Sequence, residues 1–287
     1  MDNVLWISEI GSTARALIDQ NKEKNWQIHS VFNNACNLTV SDKGMITVLQ
    51  PGSVLSPIGI KLKHCLKDMN EFFQPQYGIK IGDNSFHKDT SININIQQAA
   101  TINCRYVYDK NIKVLPDIVF KTICNVADRY PGYQVNNEDW IETSFITKCS
   151  VTVEKLKKAV EQKDISSFFE AARSIVGLGI GLTPTGDDIL AGYIPVIRFN
   201  PEYREMIEGA IPELTSLFWH STTRISAELL ACMLDYSYSV IMIQLLDSIA
   251  NEDVNSCADA VQRLLHIGSS TGHDTLTGVL AALDLFR

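Results

Sequence analysis

Much that would identify a mechanism at sight is missing from this sequence. There is no GxxxxGK[ST] phosphate loop, no G-x-S-x-G nucleophile elbow and no HExxH metal pair. Positive charge is in short supply: 25 Lys and Arg stand against 33 Asp and Glu, for a formal charge of −8. No basic stripe is available to neutralise phosphates, which excludes a nucleic-acid binder. The lysines at 61–67 and 155–158 form short, solvated clusters. No apolar stretch approaches the ~20 residues that span a bilayer. Met1-Asp2-Asn3-Val4-Leu5-Trp6 has neither the basic nor the apolar region of a signal peptide, so a cytoplasmic location is expected. The seven cysteines (36, 65, 104, 124, 149, 232 and 257) are an odd set without CxxC spacing. They read as reduced, mostly buried thiols, which excludes a disulfide framework or a thiolate zinc site. What remains, 287 residues with 45% hydrophobic and 20% charged, describes a globular protein of two domains or one large one.

The hydrophobic period changes along the chain. Leu38-Thr39-Val40, a turn at Ser41 to Gly44, and Met45 to Leu49 form a hairpin-like pattern, and Gly59-Ile60-Lys61-Leu62 resumes it after Pro51-Gly52-Ser53. Ser91 to Ile96 alternates strictly, which predicts a half-buried strand, and Cys104 to Tyr108 predicts another. Gly78 to Thr90 is polar and turn-rich. A small barrel or sandwich over roughly residues 25–110 is the expectation. From Ile118 onward the spacing is helical, interrupted at Pro131-Gly132-Tyr133 and Asn136-Asn137. Helices are predicted at 186–199, 202–218, 223–235, 239–250, 253–266 and 272–286, joined by short polar breaks. The fold class is α+β: a mostly β domain (1–115) followed by an all-α domain (116–287).

What is present and unusual is Gly177-Leu178-Gly179-Ile180-Gly181-Leu182-Thr183-Pro184-Thr185-Gly186-Asp187-Asp188. Four glycines, two threonines and two adjacent carboxylates precede the apolar run Ile189 to Ile197. Glycine lets backbone approach backbone or ligand closely. Thr185 followed by Asp188 predicts a capping box, with Asp187 and Asp188 at the second and third helical positions. A glycine-rich turn at a helix start presents N–H groups and a positive dipole end, which suit an anion. The GLGIGL segment has GxG spacing, but a helix precedes it, which weakens a dinucleotide reading.

Near the C-terminus the pattern returns. Ser269 to Gly278 laid on Thr183 to Gly192 matches at five of ten positions: Thr271 with Thr185, Gly272 with Gly186, Asp274 with Asp188, Leu276 with Leu190, and Gly278 with Gly192. Two similar turn–helix units facing each other across one pocket are predicted. The candidate proton-transfer or substrate-orienting residues are Asp187, Asp188 and Asp274. The candidate binding residues are Gly179, Gly181, Thr183, Thr185, Gly186, Ser270, Thr271, Gly272 and His273. Thr222, Thr223 and Arg224 join them, because hydroxyls and an Arg at a helix start suit phosphate or carboxylate. The same residues also fit plain helix capping, with Arg224 and His273 on the surface.

These motifs carry a family resemblance. The chain resembles the bacterial domain-of-unknown-function family with the signature GxGLTPxGDDxLxG, which includes the AllH-type subunit of oxamate carbamoyltransferase. Gly179 to Gly192, Thr222-Thr223 with Ser226, and Gly268 to Gly278 carry the match, with a weaker echo at Asn34 to Val48 and Gly52 to Leu62. The resemblance implies interconversion of oxamate and carbamoyl phosphate with oxalurate and phosphate in anaerobic allantoin breakdown, together with partner subunits. It implies a small anionic substrate bound at helix starts. Two departures stand out: Ile180 where the family often has proline, and His273 where tryptophan and other types occur, which argues against catalysis by His273. Arg224 is not a position the resemblance covers. The competing readings are a helical hydrolase or phosphotransferase holding Mg²⁺ on Asp187, Asp188 and Asp274, and a non-catalytic structural subunit.

Overall fold

The computed structural model describes residues 4–22, 24–40, 44–74, 77–83, 92–129 and 140–287. The turn expected at 41–43, most of the polar stretch 78–90 and the connection around 131–137 lie outside the described residues. The chain divides into two compact units, residues 1–105 with 237–240, and residues 106–236 with 241–287.

The first unit is a strand-rich, nearly closed barrel. Its elements are β1 (Val4–Gly11), α1 (Ser12–Gln20), β2 (Gln27–Val31), β3 (Ala35–Thr39), β4 (Met45–Leu49), β5 (Gly59–Leu62), α2 (Met69–Phe72), β6 (Ile79–Gly82), β7 (Ile92–Asn95) and β8 (Ala100–Ile102). The sheet runs β2-β3-β4-β5-β1-β7-β6, with β8 also pairing β1. Its two edges meet where Trp26, just ahead of β2, donates its N–H to Ile79 O of β6 at 2.9 Å. Closure removes the unpaired edges an open sheet would expose. The barrel is filled by Ile7, Leu38, Ile46, Ile60, Ile81 and Ile94, each no more than 2% exposed.

The expected hairpin is the antiparallel pair β3–β4, in register from Ala35↔Leu49 to Thr39↔Met45. Four details differ from the sequence reading. The sheet starts before residue 25, with β1 at its middle, antiparallel to β5 and parallel to β7 and β8. β6 forms within the stretch read as turns. β7 is buried on both faces, not half-buried, and Asn95 turns its carboxamide oxygen back to accept Gln97 N–H. No strand forms at 104–108; only an isolated bridge joins Arg105 to Ser237.

The second unit is helical: α3 (Asp117–Arg129), α4 (Trp140–Gln162), α5 (Ile165–Ile175), α6 (Thr185–Ile197), α7 (Pro201–Ser221), α8 (Arg224–Leu234), α9 (Val240–Ala250), α10 (Val254–Leu265) and α11 (Thr271–Leu283). Side chains set several boundaries. Asn200, Thr223 and Asp253 accept N–H bonds from the first turns of α7, α8 and α10. The central helix is α6, with eleven of thirteen residues buried. A helix apolar almost all round belongs inside a core, so the acids on its first turn are buried with it.

At the other end of α6, Arg198 is fully buried and donates to the carbonyls of Met233 (2.7 Å) and Leu234 (3.0 Å) at the end of α8. Its guanidinium lies 4.1 Å from the Tyr236 ring centre. A planar fork satisfies two terminal carbonyls and stacks at once; an ammonium cannot. Arg198→Lys is therefore expected to cost about 2 kcal/mol, seen as a lower urea midpoint with unchanged slope. No helix among the described residues is long and apolar enough to cross a membrane.

Candidate functional site

The two repeated segments meet at a helix crossing. A Cβ on Gly192 of α6 would lie 2.0 Å from Thr275 O of α11, and one on Gly278 of α11 would lie 2.0 Å from Ile189 O of α6. The repeat pairs Gly192 with Gly278 and Ile189 with Thr275, so the contact is reciprocal and pseudo-twofold. Gly186 and Gly272, nearly two turns earlier, press against the carbonyls of Ile175 and Leu264 at the ends of the preceding helices. Close crossing places the first turns of α6 and α11 side by side.

The polar residues then exchange partners across the crossing. Thr183 Oγ1 lies 3.1 Å from Asp188 Oδ2 and 3.1 Å from Thr271 Oγ1. Thr271 also hydrogen-bonds Asp188, while Thr185 and Ser270 hydrogen-bond Asp274. The expected local capping box is thus replaced by a swap: Thr185 and Thr271, the first residues of the two helices, each serve the carboxyl of the other helix, while Thr183 and Ser270 serve that of their own. Pro184 is the N-cap of α6, which moves Asp187 and Asp188 to its third and fourth positions. Burial pushes Asp188 up to about 8, with the charges of Asp274 and then Asp187 adding to the shift and the threonine bonds opposing it. Burial raises Asp274 as well, against the bonds from Thr185 and Ser270 and a small pull from His273. Asp274 Oδ2 is sealed from solvent and accepts no hydrogen bond among the described residues.

Asp187 points elsewhere. Its carboxylate, on a residue 1% exposed, accepts the Gly177 N–H (2.8 Å) on one oxygen, and Ser226 Oγ (2.6 Å) and Thr222 Oγ1 on the other. Burial raises its pKa while these three bonds pull the other way. Gly177 can serve here because it takes φ 73° with Ser221 O where a Cβ would sit. Asp187 therefore joins the start of the glycine loop to the start of α8. Thr223 adds a second tie, capping α8 and donating to Leu182 O.

The glycine loop itself differs from expectation in one respect. The N–H groups at the start of α6 are taken: Gly186 N donates to Leu178 O at 2.9 Å, and Asp187 N and Asp188 N to Pro184 O. The open donors lie one step earlier. Among the described residues, no main-chain N–H from Gly179 to Thr183 finds a main-chain acceptor. Gly179 and Gly181 take φ of 125° and 94°, and Ile180 is 76% exposed. Successive free N–H groups in a loop of alternating hand form the concavity that receives anions.

Arg224 is committed to Glu228, with contacts of 3.1 and 2.8 Å, and lies over the Trp219 ring. His273 is partly exposed beside Asp274. Cavities of about 570 and 460 Å³ lie elsewhere, between α9 and α10 and between α4 and α5; no motif residue lines either one. Among the described residues no group of three or more His, Cys, Asp or Glu is arranged to hold a metal ion. Two residues outside the candidate set also act on these carboxyls. Ser226, noted only as part of the family match, serves Asp187. Cys149 of α4 sits near enough for burial and the Asp274 charge to push its thiol up to about 11. Nothing in the spacing of either residue signals these contacts.

No solved structure matches the chain. Residues 6–105 match the AllH family N-terminal domain, and residues 175–283, which hold both glycine motifs, match the oxamate carbamoyltransferase subunit AllH. The chain belongs to the AllH family.

Proposed function

We propose that this protein is the subunit of an oxamate carbamoyltransferase that binds the anionic substrate, working with partner subunits on carbamoyl phosphate and oxamate or, in reverse, on oxalurate and phosphate. The observation that carries this reading is the continuity of two features through Thr183. On one side stand the unused N–H groups of Gly179 to Thr183. On the other, the Thr183 hydroxyl touches Asp188 and Thr271. Carbamoyl phosphate is a dianion whose phosphate suits the loop donors. Oxamate presents an amide nitrogen that a carboxyl group can orient. Asp187 holds the loop and α8 in place; Asp188 and Asp274 face the transfer. Placing both substrates within one constellation turns a bimolecular step into a local one.

Thermal unfolding of the chain with carbamoyl phosphate, phosphate, oxamate and oxalurate in turn tests this. A ligand at 100 times its Kd adds about 2.7 kcal/mol, a readily measured rise in midpoint. Thr183→Val is expected to abolish the rise while costing only about 1 kcal/mol without ligand. No rise with any of the four ligands, alone or with the partner subunits present, would overturn the site.

A further inference from the structure

We infer that Asp188 and Asp274 hold a single proton between them and use it as donor and acceptor in the transfer step, an assignment that rests on the site reading above. The argument starts from placement. The two carboxyls come from the matched positions of α6 and α11, at the pseudo-twofold crossing, and each is hydrogen-bonded by a threonine of the other segment. Asp188 is 5% exposed, and Asp274 has one sealed oxygen without a donor. The Asp274 charge acts on Asp188, and two carboxyls that feel each other in a site shielded from water do not both ionise. Among the described residues no Lys or Arg figures among the groups acting on either one. The other titratable groups facing the pair are Asp187 on α6, His273 on α11 and Cys149 on α4. Asp187 repels a second negative charge on Asp188, the pull of His273 on Asp274 is the smallest of those acting there, and Cys149 stays a thiol. The more buried partner, Asp188, keeps the proton, and its pKa of about 8 agrees.

The chemistry needs one group in each state. The oxamate nitrogen bonds to the carbamoyl carbon, and the bond from that carbon to the bridging phosphate oxygen breaks, its electron pair leaving with phosphate. The nitrogen gives one proton to ionised Asp274, and Asp188 gives its proton to the departing phosphate. One proton enters the pair and one leaves, so the pair ends with a single proton on the opposite partner. The reverse reaction starts from that state.

Infrared difference spectra of the wild-type chain at neutral pH, exchanged into D₂O, test the proton inventory without any activity. The carbonyl band of one buried protonated carboxyl is expected, lost in Asp188→Asn, which removes the group that holds the proton, and kept in Asp274→Asn but titrating at lower pH, because burial of Asp188 remains while the Asp274 charge does not. Absence of the band in the wild type, or its survival in Asp188→Asn, overturns the inference. In the assembled enzyme each variant is expected to slow transfer by about 10²–10⁴-fold, and the double variant little more than either one. Additive losses, or a band with no change in transfer, overturn the catalytic half. A wild type without the band that still shows the ligand-induced rise in midpoint leaves the site reading standing, which separates the two failures.

Discussion

Gly192→Ala is expected to lower the unfolding midpoint of the helical unit by about 10 °C, and Gly278→Ala by a similar amount. The added methyl would sit 2.0 Å from a carbonyl oxygen of the facing helix in each case. Backbone cannot swing aside as a side chain end can, so α6 and α11 must separate along the crossing. Overpacking of a rigid contact costs about 3 kcal/mol or more, and at about 3 °C per kcal/mol for a unit of this size that gives the stated shift. Alanine favours a helix interior over glycine by about 1 kcal/mol, so the sign of the result is informative. Gly209→Ala in α7 supplies the control. Its Cβ would meet only the end of the Ile165 side chain, at 3.3 Å. That variant is expected to unfold at the wild-type midpoint or slightly above. Equal behaviour of all three would remove the close crossing. The crossing also sets the register of Asp188 against Thr271 and of Asp274 against Thr185, so ligand binding is expected to fall with stability in the first two variants alone.

That crossing was partly legible in the sequence. The matched Thr-Gly-x-Asp-x-Leu-x-Gly segments predicted two similar helix starts, and helical spacing located α6 to α11 to within a few residues, because a 3.6-residue period is a local property. What could not be read was non-local. Thr-x-x-Asp fits a capping box within one helix and a swap between two helices equally well, and only the approach of α6 to α11 decides between them. β1 reads poorly as a central strand because its burial does not alternate cleanly. Asn93 and Asn95 look solvent-facing in an alternating run, yet both are buried, which alternation alone cannot show. The helix-start N–H groups expected to face an anion are occupied instead by Leu178 O and Pro184 O, supplied by the loop's own path.

Asp187 shows the same limit most sharply, and its replacement carries the second large effect. Its partners are 10, 35 and 39 residues away, so no spacing rule separates it from Asp188 beside it. Asp187→Ala is expected to cost about 3 kcal/mol, because it strands the Gly177 N–H and two hydroxyls, which then have to find water or each other. Asp187→Asn is expected to recover most of that. Its amide oxygen can take the Gly177 N–H while its NH₂ donates to the hydroxyls of Thr222 and Ser226, which can accept as readily as donate. Asp187→Glu is not expected to help, since one added methylene has no room in a fully buried site. Urea unfolding ranks the three variants, and the order Asn above both Ala and Glu separates hydrogen bonding from charge. If Asn fell as far as Ala, the negative charge itself would be the requirement at this position. If Asn stood near wild type and kept the ligand-induced rise, the role of Asp187 would be to fix the loop against α8, which is where its three bonds place it.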